Sequence, residues 1–179
     1  MPLTNFTIDA VHSSVAFSVR HLVVAKARGR FSKFSGAFAF DAEDVSKSHV
    51  EVTIDVASID TNDAQRDGHL KSPDFFDAEN HKEMTFKSKR VEGKGSDLKV
   101  IGDLTIRGTT HEVTLDVEYA GISKDPWGNE KAGFEAKTTI NRKDFGLVWN
   151  AVLETGGVAV GEKVEITLDI EALKDKAAA

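Results

Sequence analysis

Few residues in this chain have both the type and the spacing to do chemistry. Asp9, His12, Ser13 and Ser14 supply the side chains of a hydrolytic triad, but adjacency in sequence is not triad geometry. No GxSxG elbow occurs. The six histidines, at 12, 21, 49, 69, 81 and 111, show neither HxH nor HxxxH spacing, so no metal site is expected. The chain has no cysteine, which excludes disulfides, thiolate catalysis and cysteine-ligated metal. Gly156-Gly157 lacks a following Lys-Ser/Thr, and Gly93 and Gly95 read as a turn. We therefore expect no catalytic residues, no metal and no cofactor. What remains is a set of polar groups at helical spacing. Arg66 and His69 are three apart and share a face with Asn62. Facing the mouth of an apolar interior, that set can meet a polar head group. Facing water, it is a solvated helix surface, which residue types alone favour.

The element that would carry these groups is Thr61–Asp77, TNDAQRDGHLKSPDFFD. Asn62 is placed to cap a helix, with Gln65 as its reciprocal partner. Asp63 then falls in the first turn, where the helix dipole favours an anion. Pro73 should end the helix near Ser72, and Ser72-Pro73 should open a second short turn carrying Phe75 and Phe76. Leu70, Phe75 and Phe76 make this either a lid over an apolar interior or a surface connection that plugs the core. The plug is the reading residue types favour.

The rest of the chain alternates with period two. Val15, Phe17 and Val19 oppose Ala16, Ser18 and Arg20, and His21 continues the apolar parity. Gly29 inside the next strand marks a bulge or a close backbone approach. Phe31 and Phe34 are out of phase, so a bulge or bend is expected at Ser32-Lys33. Phe34, Gly36, Phe38 and Phe40 resume the period. His49–Val56 is the clearest strand, followed by one opening at Met84 and turning within Glu92–Asp97. A hairpin is expected around Gly108-Thr109-Thr110, with Val113, Leu115, Val117 and Tyr119 on one face. Phe134–Ile140 is another strand. Phe145, Leu147 and Trp149 lie in a stretch that breaks alternation, and Val164, Ile166, Leu168 and Ile170 form a last strand. Eight or nine one-sided strands with few helices must share one interior, as a barrel or a two-sheet sandwich.

The 179 residues suit one domain, 1–179, with a core at about 6–173 and a frayed tail at 174–179. Net charge is −6 with dispersed cations, which argues against charge-driven binding to nucleic acid or to an anionic membrane. No apolar run nears the length of a membrane helix, so no stable membrane insertion is expected. The N-terminus has no basic segment followed by an apolar run, so a cytoplasmic location is expected.

Four blocks then carry a resemblance. DAVHSSVAFSVRHLVVAKARGRFSKFSG (9–36), TNDAQRDGHLKSPDFFDAE (61–79), GDLTIRGTTHEVTLDVE (102–118) and NRKDFGLVWN (141–150) occur in order and resemble the YceI-like family of lipocalin-like, polyisoprenoid-binding proteins. The resemblance runs from about Phe6 to Leu173. It implies an all-β fold: an elongated antiparallel eight-stranded lipocalin-like β-barrel with a short helical segment near residues 62–77. It also implies non-catalytic binding, transport or sequestration of a long-chain isoprenoid, quinone or other amphiphilic lipid, and a possible homodimer. The family's RDEHL block reads RDGHL here, so Gly68 replaces a carboxylate while Arg66 and His69 remain. With strand parity, the resemblance lines the tunnel with Phe17, Val19, Phe31, Phe38, Phe40, Val52, Ile54, Phe86, Ile106, Leu115 and Val117. It borders the tunnel with Leu70, Phe75 and Phe76, and closes part of it with Phe145, Leu147 and Trp149. The head group would meet His21, Asn62, Arg66 and His69. The alternatives are an enzyme acting on the head group of a prenyl lipid, and a filled structural barrel acting through its surface.

Overall fold

The computed structural model describes residues 3–154 and 156–176. Alternation becomes strand wherever the sequence carries it. The segments are β1 (Thr4–Ile8), β2 (Ser14–His21), β3 (Ala25–Phe31), β4 (Phe34–Phe40), β5 (His49–Asp55), β6 (Ile59–Asp60), β7 (Glu83–Lys94), β8 (Asp97–Ile106), β9 (Thr109–Lys124), β10 (Glu130–Asn141) and β11 (Val160–Lys174). Among the described residues the one α-helix, α1, spans Ala64–Lys71. All pairings are antiparallel. β1 bonds to both β4 and β11, which closes the ring β1-β4-β5-β7-β8-β9-β10-β11. The fold is a closed eight-stranded barrel. β2, β3 and β6 are the upper halves of interrupted strands: β2 runs along β11 above β1, and β6 along β3 above the β4–β5 pair. The 16 residues of β9 correspond to about 50 Å at ~3.3 Å per residue, so the barrel is elongated.

The interruptions keep apolar side chains inward where strict alternation would turn them out. Ser32-Lys33 is such a break, a bend between two strand segments. Across it Phe31 and Phe34 both point into the barrel. Gly29 allows a close approach, not a bulge. A Cβ there would lie 2.5 Å from the Phe17 ring and 2.8 Å from the Thr61 methyl. The β8–β9 turn is tighter than expected: Arg107 and Gly108, at φ 49° and 73°, make the two-residue loop that suits the twist of a hairpin. The β7–β8 turn also shrinks, because both strands run on to Lys94 and Asp97. At the C-terminal end, Lys174 pairs with Phe6 and the Asp175 N–H donates to Asn5 O at 2.8 Å. The expected fraying therefore does not begin at 174, and Ala177–Ala179 lie outside the described residues.

The outward faces are charged. Lys99 reaches Asp116 at 2.7 Å, and Lys89 lies 3.1 Å from both Asp103 and Glu112. A membrane-spanning barrel carries an apolar band there. Among the described residues no helix is long and apolar enough to cross a membrane.

Asp41 closes the turn after β4. Its carboxylate accepts from the Asp44 N–H at 3.0 Å and the Glu43 N–H at 2.9 Å. The Asp44 N–H bond is the main cause that holds its pKa below the ordinary carboxylate value, against the opposing effect of burial. A lowered folded pKa means that Asp41 stabilises the fold above about pH 4 and that this stability is lost as pH falls through the folded value. In a series of thermal melts, Asp41→Asn should flatten the acid limb of the Tm profile and lower Tm at neutral pH. An unchanged acid limb would show that the turn does not depend on the charge.

Candidate ligand-binding tunnel

The barrel holds a cavity of about 640 Å³, within the ~300–1,000 Å³ of small-molecule sites. Its wall is aliphatic and aromatic. Phe17, Val19, Phe31, Phe38 and Phe40 border it, as do Val52, Ile54, Phe86, Ile106, Leu115 and Val117. The inward aliphatics of β9 and β11, among them Val113, Leu115, Val164, Ile166 and Leu168, are only half-buried. Those of β8, including Leu98, Val100 and Leu104, are buried. A barrel packed full of its own side chains would bury both sets.

One end is shut by rings. Phe6 is 1% exposed and stacks on Phe38 at 5.2 Å. Phe134 meets Phe38 at 5.2 Å, Phe40 at 5.4 Å and Tyr119 at 5.1 Å. With Leu98, Ala132 and Ala172 they form a separate core cluster below the cavity.

At the other end lies the lid. Asp63 caps α1, accepting from the N–H groups of Gln65 and Arg66, both at 3.1 Å. This corrects the expected Asn62–Gln65 box. Asn62 stands at φ 63° before the cap and does not border the cavity. Asp63 takes the cap because its backbone is extended, at φ −150° and ψ 107°, as a cap residue's must be, while Asn62 is held in the left-handed region. The helix ends at Ser72 as expected. Leu70, Phe75 and Phe76 border the cavity, and Phe76 meets Phe31 edge-on at 5.9 Å. Leu147 and Trp149 do so from the facing loop. Phe145 does not. It is 1% exposed and packs behind the wall, with its ring 5.3 Å from that of His111.

The polar groups collect at this mouth. His69 lies edge-on to Trp149 at 4.7 Å and to Phe75 at 5.1 Å, with Nε2 2.9 Å from Asp74 Oδ2. Arg66 donates through Nε to Thr61 Oγ1 at 2.8 Å and through Nη2 to Thr61 O at 2.7 Å. His21 also borders the cavity. Gly68 does not, and a Cβ there would meet nothing within 4 Å, so the missing carboxylate leaves no hole. Arg107 ties the lid to the β8–β9 turn through Nη1, which donates to Phe75 O at 2.8 Å.

Arg142 was not anticipated. It follows β10, is 3% exposed and borders the cavity. It donates to Gly161 O at 2.7 Å, Leu147 O at 2.6 Å, Trp149 O at 2.9 Å and Val160 O at 3.2 Å. Burial pushes its pKa down, partly offset by Glu162. The only carboxylate bordering the cavity among the described residues is that of Asp63, and it is engaged as the helix cap. The arrangement offers apolar burial with cations and imidazoles at the opening.

A family model for the YceI-like domain matches residues 6–172. The chain belongs to the YceI-like family. Among relatives of this YceI-like barrel, the UPF0312 protein SAS2572 of Staphylococcus aureus strain MSSA476 is 44% identical over 170 residues, spanning 94% of this chain and 97% of that protein. The crystal structure of Burkholderia cenocepacia BcnA superposes with a TM-score of 0.81 at 27% identity, covering 92% of this chain and 98% of that one. A polyisoprenoid-binding domain from Saccharophagus degradans shares the fold, with a TM-score of 0.71 at 15% identity over 97% of this chain and 100% of that one.

Proposed function

We propose that this YceI-like barrel is a non-catalytic carrier or sequestering protein for one long-chain amphiphile, of isoprenoid or quinone type. The apolar tail lies along the tunnel, and the head sits at the mouth near His21, Arg66, His69 and Arg142. The observation that carries this reading is the set of inward aliphatics left only half-buried inside a closed barrel. They are surface that a guest can remove from water. A tail burying about 500 Å² would gain roughly 12 kcal/mol gross at ~25 cal/mol per Å², against an association and ordering cost of about 4–15 kcal/mol. The balance permits useful affinity without any bond being made. That a polyisoprenoid-binding domain in Saccharophagus degradans uses the same fold supports the geometry as suitable for such a chain.

Native mass spectrometry of the freshly purified protein, followed by organic extraction, tests this. We expect a discrete added mass that extraction identifies as a prenyl or other long-chain lipid. A clean apo mass that polyprenyl lipids and quinones fail to shift would reject the carrier reading.

A further inference from the structure

The β2–β3 hairpin departs from the charged surface of the rest of the barrel. Its tip is Leu22-Val23-Val24, and Val24 is 87% exposed. Leu22 and Val23 stand at φ 52° and 69°. That backbone suits Asn and Gly, and a β-branched residue adopts it only under strain. The turn nonetheless presents large aliphatic side chains where water meets them. The neighbouring loop adds three more exposed valines, Val148, Val152 and Val158. The two loops are joined. The Leu22 N–H donates to Ala159 O at 2.8 Å, and a Cβ at Gly157 would lie 3.0 Å from a Val23 methyl. Directly beneath, His21, Ala159 and Val160 border the cavity. The apolar patch is therefore one rim of the tunnel mouth.

The same hairpin is basic. Between Asp9 and Asp41 the chain has no acidic residue, while it carries Arg20, Lys26, Arg28, Arg30 and Lys33. Arg20 and Lys26 stand directly opposite each other across the pair, a placement that repels. Lys26 has Glu165 at 3.6 Å and Arg30 has Asp60 at 3.5 Å. Arg20 and Arg28 have no ion-pair partner among the described residues. Aliphatic tips flanked by exposed cations match the boundary of an anionic bilayer, apolar below and phosphate above. The overall charge of −6 does not oppose this, since charges beyond about 10 Å are largely screened. The expectation drawn from net charge missed this segregation.

We propose that this end of the barrel docks on an anionic bilayer. Leu22, Val23 and Val24 enter the headgroup–acyl boundary, while Arg20, Lys26 and Arg28 meet lipid phosphates. The tunnel mouth then opens on the phase that supplies its ligand, a role that rests on the carrier reading above.

The test is co-sedimentation with vesicles of phosphatidylcholine alone and of an equimolar mixture with phosphatidylglycerol. Binding is expected to the mixed vesicles, at least tenfold weaker to phosphatidylcholine alone, and weakened by salt. Val24→Asp, at a position with no packing to lose, should reduce binding about tenfold. Arg28→Glu should reduce it about fivefold or more. Val24→Trp should shift its emission to the blue on mixed vesicles. Binding to neither vesicle, or binding unchanged in both charge variants, would overturn the proposal. So would a dimer in sedimentation velocity that Val24→Asp dissolves, since this face would then join two copies of the chain. Tunnel filling is read separately by native mass spectrometry after loading from detergent. An empty tunnel with intact vesicle binding would reject the carrier and leave the docking surface standing.

Discussion

Arg142→Leu should lower the unfolding free energy by about 3 kcal/mol in urea, with little change in the slope of the transition. The guanidinium donates to four backbone carbonyls, those of Leu147, Trp149, Val160 and Gly161. Removing it strands buried acceptors, each at a cost of about 1–3 kcal/mol. Part of that sum is recovered, because the folded state no longer desolvates a cation. Val160 O keeps a second donor, the Asn150 amide at 2.7 Å, so the stranded acceptors are those of Leu147, Trp149 and Gly161, and three of them outweigh the recovery. Lysine at 142 should restore less than half of the loss, because a compact ammonium cannot span a fan of carbonyls that a planar fork reaches. In a Trp127→Phe background, Trp149 fluorescence should move to the red in Arg142→Leu, as the loop it anchors loosens. A loss below about 1 kcal/mol would mean that the loop refolds to hydrate its own carbonyls.

Leu115→Trp and Val52→Trp should each cut lipid occupancy at least tenfold while changing stability by less than about 1 kcal/mol. Both side chains face the cavity and both are half-buried. An added indole therefore fills empty space, where in a packed core it would force neighbours apart at about 1–3 kcal/mol. The same change at Val100, which is 8% exposed, should instead destabilise the barrel. Native mass spectrometry with urea melts reads both quantities. Full occupancy in Leu115→Trp and Val52→Trp would show that the ligand does not lie along these strands.

Strand parity was legible because a one-sided strand writes its buried face into every second residue. It placed Phe17, Val52 and Leu115 on the inner wall without reference to any partner. Periodicity could not separate barrel from sandwich, since closure depends on β1 bonding to both β4 and β11, a fact about strands far apart in sequence. The helix was found but its cap was off by one: Asn62 and Asp63 are both good capping types, and only the backbone, with Asn62 at φ 63°, decides between them. Phe145 was misplaced because a short 3-10 turn, Arg142–Phe145, rotates it behind the wall where no period of two applies. Arg142 went unread because a buried cation satisfied by carbonyls leaves no acidic partner in the sequence. Its one signal was its place in the NRKDFGLVWN block. The docking hairpin was hidden by averaging, since a net charge erases the segregation of cations to one loop.

If the barrel carries a lipid as proposed, the aromatic floor at Phe6, Phe38, Phe40 and Phe134 makes its tunnel a measuring rod. A ligand would enter and leave through the mouth between α1, the Trp149 loop and the β2–β3 hairpin, tail first in and tail last out. Residence time of such a ligand would then depend on opening of this mouth and not on the concentration of competitor. Chain length is read at the stop: tails that reach Phe134 with the head still at Arg66 and His69 are held at both ends, longer ones leave the head outside, and shorter ones leave cavity unfilled.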